Sequence, residues 1–319
     1  MVGRKLRGDR KCPVILSLEP LGATRWSPVD GAMLSVEQCM EALGECGAPV
    51  VQLCGREPLE HPEIATIARE ILRCGRHLFL CTDGSLIRRR LHMIPPYTKF
   101  FWNVRLDGME GVHDQRAQRR GLFKEVLDGI QAAKNAGFFV VVTSTIYPDS
   151  DVNDLAALYE TLHTVHVDGY MLSPHYPSEK LCRDGSAQFR EKMHQRFREA
   201  SERVGSYNLM MSPVYLEYLR GERELDCSAW GNPAYGPCGW SEPCSKHSVR
   251  HLKSYHELIG KTVWENYGRG LNPRCENCLC HDGYESAALL GINAKAGDLW
   301  KLLAWQLSGS MGECRNGKI

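Results

Sequence analysis

Six cysteines, Cys227, Cys238, Cys244, Cys275, Cys278 and Cys280, crowd into residues 227–280. Cys275-Glu-Asn-Cys278 has the two-residue spacing by which both thiolates of one turn reach the same metal atom or cluster. Cys227 and Cys244 flank the Trp- and Gly-rich stretch DCSAWGNPAYGPCGWSEPC and supply two more ligands. The expected metal site is therefore Cys227, Cys244, Cys275 and Cys278, with Cys238, Cys280, His281 and Asp282 as spare donors nearby. Four thiolates satisfy zinc and an iron–sulfur cluster equally well, so spacing leaves both open. Residues 225–285 are rich in Cys, Trp, Gly and Pro and show no sustained apolar period, so a metal centre must do there what an apolar core does elsewhere. The remaining cysteines (Cys12, Cys39, Cys46, Cys54, Cys74, Cys81, Cys182 and Cys314) occur singly, as small buried hydrophobes do.

Upstream of this set, short β-rich runs alternate with amphipathic stretches, the pattern of βα units around a parallel sheet. Strands are predicted at 13–21, 50–54, 77–84, 100–108, 138–147 and 169–176, and helices at 35–46, 61–74, 86–93, 119–135, 151–165 and 186–204. In GLFKEVLDGIQAAKNAG, Leu122, Val126, Ile130 and Ala133 share one face and Gly137 supplies the stop. Six units predict an α/β fold, a partial (βα)6 TIM-type barrel over residues 1–210, followed by a Cys-rich metal-binding domain over 211–319. The closing helix DLWKLLAWQL is expected to cap the barrel through Leu299, Leu302 and Leu303.

Sites on parallel sheets collect at the carboxyl ends of the strands, where the loops converge. Those ends carry Glu19, Gly55, Arg56, Glu57, Thr82, Asp83, Arg105, Asp107, Thr145, Ser173, His175 and Tyr176. His175 and Tyr176 offer a proton acceptor beside a donor, and with Arg105 and Asp107 they are the candidate catalytic residues. The bland alternative is that Asp107 and Glu57 only tie strand ends to helix N-termini and that His175 is a satisfied interior histidine.

Lys+Arg 39 against Asp+Glu 38 leaves a formal charge of +1, so no global field recruits nucleic acid or an anionic membrane, and the polar strand ends are expected to take a small-molecule substrate. The basic start, Arg4, Lys5, Arg7, Arg10 and Lys11, is expected to be a solvated terminus. No signal peptide or long apolar span is visible, which predicts a cytoplasmic protein without a transmembrane segment, its thiols reduced.

The segments LSLEPL, LSVEQC, ECGAPVVQLCGREPLEHPEI, LCTDG, VRLDG, LSPHY, DCSAWGNPAYGPCGWSEPC and CENCLCHDGYE follow one another much as in the radical S-adenosylmethionine (SAM) superfamily, and the chain most resembles the adenosylhopane synthases of hopanoid biosynthesis. The resemblance covers roughly residues 10–286. It implies SAM at the strand ends, with Gly55, Arg56, Glu57, Thr82 and Ser173 as the cofactor-binding set, and it shifts the C-terminal centre toward a [4Fe–4S] cluster over zinc. The family's Cys-x3-Cys-x2-Cys loop is missing: between EPL and LSVEQ stands GATRWSPVDGAM. Arg56 replaces the second glycine of the Gly-Gly-Glu-Pro motif, placing a bidentate cation where backbone approaches the cofactor. His175 stands where the family has glycine and Asp282 where it has cysteine, while Cys238 and Cys280 occupy positions that are not cysteine there. Two functions follow from the resemblance and its departures. One is a degenerate radical-SAM-like iron–sulfur enzyme, a transferase or lyase, acting on a small molecule or an isoprenoid or other natural-product intermediate. The other is a non-catalytic scaffold partner of an intact radical SAM enzyme, and a partner enzyme or reductant belongs to either reading.

Overall fold

The computed structural model describes residues 11–22, 31–176, 187–248 and 250–307. The basic start through Arg10, most of GATRWSPVDGAM, Cys182 and Cys314 lie outside them.

Six parallel strands form where apolar runs were expected: β1 (Ile15–Leu18), β2 (Val50–Leu53), β3 (His77–Thr82), β4 (Phe100–Arg105), β5 (Phe139–Ile146) and β6 (Gly169–Pro174). Between and after them run α1 (Val36–Cys46), α2 (Ile64–Arg73), α3 (Ile87–Arg90), α4 (Glu110–Ala117), α5 (Leu122–Asn135), α6 (Val152–Thr164) and α7 (Ala187–Val204). Local chemistry sets their ends. Ser35 caps α1 in a full capping box with Gln38, and Asp151 caps α6 by accepting from the Asn153 N–H. The expected face of α5 is the buried one, with Leu122, Val126, Ile130 and Ala133 turned to the sheet. The short, polar α4 was not expected, because only His113 of its residues is buried.

The two faces of the sheet differ, and that difference builds the site. Leu16, Leu80, Trp102 and Val142 join the helices in one apolar cluster. On the opposite face Phe79 stacks on Phe101 at 4.7 Å and Phe101 lies 5.6 Å from Phe139, an aromatic layer near the strand starts. Toward the carboxyl ends that face turns polar: Thr143 donates to Asn103 Oδ1 at 2.6 Å, and Asn103 Nδ2 donates to Cys81 Sγ at 3.4 Å.

The cysteine-rich segment extends the same sheet. β7 (Ala234–Gly236) pairs parallel to β1, and β8 (Gly239–Glu242) and β9 (Arg250–Leu252) follow antiparallel, giving the order β6-β5-β4-β3-β2-β1-β7-β8-β9. Three helices were not expected after residue 210: α8 (Pro213–Leu219), α9 (Tyr255–Lys261), which lies within the stretch read as irregular, and α10 (His281–Leu290), which begins at its end. The last helix, α11 (Asp298–Leu307), packs on α8 and is held by a buried fork in which Arg223 donates to both oxygens of Asp298 at 3.1 and 2.9 Å. Leu302 reaches the core, but Leu299 is 68% and Leu303 39% exposed, so the expected three-leucine cap on the barrel does not form. An amphipathic stripe states that a face exists and leaves open what will cover it.

Candidate functional site

The structure gathers Cys227, Cys244, Cys275 and Cys278. Burial pushes the Cys227 thiol well up, and Cys278, Cys244 and Cys275 push it further as neighbouring sulfurs. Burial likewise pushes Cys244 up to about 12, with Cys278 the next contributor. Cys278 moves the other way, because the Cys280 side chain hydrogen-bonds to it. Thiols packed together in so dry a place ionise readily only if a cation compensates the charge, which is the donor chemistry of a metal centre. Its frame is well pinned. The Ser228 N–H donates to Gly283 O at 3.0 Å, fastening the Cys227 segment to α10, and Asn272 caps the turn that presents Cys275. Tyr215 donates to Leu279 O at 2.7 Å, and Tyr218 donates to Cys278 O at 3.4 Å.

Among the described residues no three His, Cys, Asp or Glu side chains stand close enough to share a single ion. Zinc at ~2.3 Å from four sulfurs draws them to about 3.8 Å of one another. A [4Fe–4S] cluster likewise takes four cysteine thiolates. Cys238 lies in the turn between β7 and β8.

A cavity of about 430 Å³ opens at the carboxyl ends of β4, β5 and β6. Arg105, Thr145, Tyr147, Ser173, His175 and Tyr176 line its barrel side, and Lys246, Cys280, His281 and Asp282 its cysteine-rich side. Four sequence candidates therefore meet here: Arg105, Ser173, His175 and Tyr176. Asp107 is brought alongside by holding Arg105, whose Nε donates to Asp107 Oδ2 at 2.8 Å, and it also accepts from the Thr145 N–H at 2.8 Å. Tyr147 donates nothing to that pair but receives a 3.0 Å hydrogen bond from Arg105 Nη2, and its ring stacks on His175 with centroids 4.6 Å apart. Tyr176 OH and His247 Nε2 are hydrogen-bonded at 2.7 Å, joining β6 to the segment that carries Cys244. On the far wall Ser245 donates to Asp282 at 2.7 Å, and the Lys246 ammonium stands 3.8 Å from the same carboxylate.

The other four candidates lie elsewhere. Glu57 accepts from Thr82 Oγ1 at 2.9 Å, from the Asp83 N–H at 2.8 Å and from the Leu59 N–H at 3.0 Å, so Glu57 and Thr82 tie β2 to β3. Burial pushes Glu57 up to about 7 even against the hydrogen bonds from Asp83, Leu59 and Thr82. Gly55 turns the chain at φ +93°, a conformation glycine adopts without strain. Arg56 is exposed and pairs with Glu60 at 3.5 Å, away from the cavity. Sequence reasoning passed over Lys246, His247 and Tyr147. The first two follow Cys244 in CSKH, where proximity to a candidate ligand was their one signal.

A sheet of parallel strands with its polar groups at the carboxyl ends, and a cysteine centre beside them, is the architecture of radical-SAM-type proteins. Residues 23–162 match the radical SAM superfamily. Residues 170–302 match a domain of unknown function (DUF3463). The GTP 3′,8-cyclase of Mycobacterium sp. (strain KMS) is 28% identical over 159 residues, 48% of this chain and 44% of that protein. The GTP 3′,8-cyclase of Pseudomonas fluorescens (strain Pf0-1) is 25% identical over 173 residues, 51% of this chain and 52% of that one. The chain thus spans about half the length of these curated relatives. Among solved structures, Streptococcus suis SuiB bound to precursor peptide SuiA superposes with a TM-score of 0.61 at 11% identity, covering 85% of this chain and 68% of that one. SuiB bound to S-adenosylmethionine gives 0.61 at 12% identity, covering 85% and 67%. At such identity the likeness is one of fold.

Proposed function

We propose that this chain is an iron–sulfur enzyme of radical-SAM type acting on a small molecule, and that its cluster is [4Fe–4S] held by Cys227, Cys244, Cys275 and Cys278 instead of by the N-terminal loop. The observation that carries this reading is the shared wall: residues 280–282, two to four positions after Cys278, line the barrel-mouth cavity together with Arg105, Ser173, His175 and Tyr176. The residues do not fit a cluster at the usual place, since GATRWSPVDGAM contains no cysteine. The C-terminal tetrad, with Cys275 and Cys278 buried and Cys227 and Cys244 half-buried, offers four thiols for one. When bound, such a cluster supplies one-electron chemistry, and SAM, implied by the family, supplies an electrophilic sulfonium. The chain's own part is to exclude water, to orient a ligand with Arg105 and Ser173, and to give or take a proton at the Tyr176 hydroxyl, which His247 supports at 2.7 Å. An isoprenoid or other natural-product intermediate follows from the adenosylhopane synthase resemblance, and a peptide like that bound by SuiB is the competing class.

The scaffold reading is favoured by one fact: Arg56 and Glu57 of the cofactor motif are engaged with Glu60 and Thr82. The test is anaerobic purification with iron, sulfide and zinc analysis, then incubation with SAM and dithionite. Four irons and four sulfides per chain, with 5′-deoxyadenosine formed and abolished by Cys→Ala changes in the tetrad, is the expected result. One zinc and no sulfide would sink the cluster. A cluster that forms but leaves SAM intact would hand the function to the scaffold reading.

A further inference from the structure

The cavity holds two cations on opposite walls, and each has donors left over. Arg105 spends Nε and Nη2 on Asp107 and Tyr147, with Nη2 2.6 Å from Asp107 Oδ2, while Nη1 is engaged by none of the described residues. Its anchor Asp107 is fully sunk, with 2% of its side chain exposed, so the guanidinium is aimed and not merely tethered. Across the cavity, Lys246 keeps 35% of its side chain open and has, among the described residues, one ion pair, the 3.8 Å contact to Asp282. That separation is too long for a hydrogen bond, and the Asp282 carboxylate already accepts from Ser245 at 2.7 Å. Two cations with unused N–H donors, one from the barrel and one from the cysteine-rich segment, line a cavity of about 430 Å³ whose barrel side also offers the Thr145 and Ser173 hydroxyls.

We propose that Arg105 and Lys246 form a clamp for an oxyanion, a carboxylate or phosphate carried by the bound ligand, which bridges the end of β4 to the cysteine-rich segment. The inference deepens the reading above and rests on its placing of the ligand site at the barrel mouth. An oxyanion there completes both donor sets at once: a charge-assisted hydrogen bond from Arg105 Nη1 on one side and from the Lys246 ammonium on the other. Asp282 opposes it, as a like charge beside the same ammonium. The three residues therefore carry opposite expectations, which a purely structural role for them would not produce.

The test is calorimetric titration of the full chain, purified anaerobically, with inorganic pyrophosphate and with S-adenosylhomocysteine. Arg105→Gln and Lys246→Gln should each weaken binding at least tenfold, Lys246→Arg should stay within threefold of the wild type, and Asp282→Asn should tighten binding severalfold. Losses confined to pyrophosphate assign the clamp to the substrate, and losses confined to S-adenosylhomocysteine assign it to the amino-acid carboxylate of the cofactor. Wild-type protein that binds neither probe, glutamine variants that bind both unchanged, or Asp282→Asn that weakens binding would overturn the clamp. Melting temperature and iron content measured on the same samples separate it from folding and from the cluster. Binding that depends on Arg105 and Lys246 in a chain without iron or sulfide would leave the clamp standing and sink the cluster reading, and full cluster loading without anion binding would do the reverse.

Discussion

Gly283→Ala is the sharpest probe of the cysteine centre. A Cβ built on Gly283 falls 2.3 Å from Cys227 Sγ. Non-bonded carbon contacts sit at about 3.5–4.0 Å, so one partner must yield by more than about 1 Å. Neither side is loose. The Ser228 N–H donates to Gly283 O at 3.0 Å, Ser228 Oγ donates to the same oxygen at 3.2 Å, and Ser286 Oγ donates to Ser228 O at 3.1 Å, so backbone on both sides is fastened. Metal–ligand bonds tolerate only about 0.2 Å, and the sulfur must leave before the helix does. The expected outcome is a chain destabilised by about 1–3 kcal/mol, as overpacking costs, that still folds but retains under half the wild-type iron and sulfide. Gly231→Ala is the control: its Cβ meets Ser286 Cβ at 2.6 Å, crowding the same helix without touching sulfur. That variant should melt lower and keep its iron. Full iron and sulfide loading by Gly283→Ala would refute Cys227 as a ligand.

Two further outcomes follow from buried charge. Asp298→Ala leaves the Arg223 guanidinium, wholly buried at its side chain, without the fork that neutralises it, and should cost about 3–5 kcal/mol in urea unfolding while detaching α11 from α8; a loss under 1 kcal/mol would show that Glu217 alone suffices. Burial pushes Glu285, which accepts from Ser212 N–H and Oγ, from 4.5 up to about 7. The native state then holds a proton that the unfolded chain has released, so this contribution is fully present below pH 4.5 and is lost as pH rises through 7, an effect of about 3 kcal/mol. Glu285→Gln should flatten the fall in unfolding midpoint between about pH 5 and 8, and an unchanged slope would remove Glu285 as its source.

The amino-acid sequence by itself determined the six parallel strands and their helices, because strands covered on both faces must be apolar along their length and helices packed on one side must repeat every 3.6 residues. It also named the Cys275–Cys278 pair, since a Cys-x2-Cys turn is a local geometry, while bringing Cys227 and Cys244 near that pair was left to the tertiary structure. Contacts with no period were left to the tertiary structure. β7 is three residues long and exists because β1 offers it an unpaired edge, and only that pairing carries the cysteine segment over the barrel mouth. Tyr176 and His247 meet across 71 residues, and Arg105 and Lys246 line one cavity only because the sheet continues past β1. For the same reason Arg56, a cation at a strand end like Arg105, turned outward to Glu60 while Arg105 was drawn in by a buried aspartate: the sequence names the charges, and the packing around each decides which way it points.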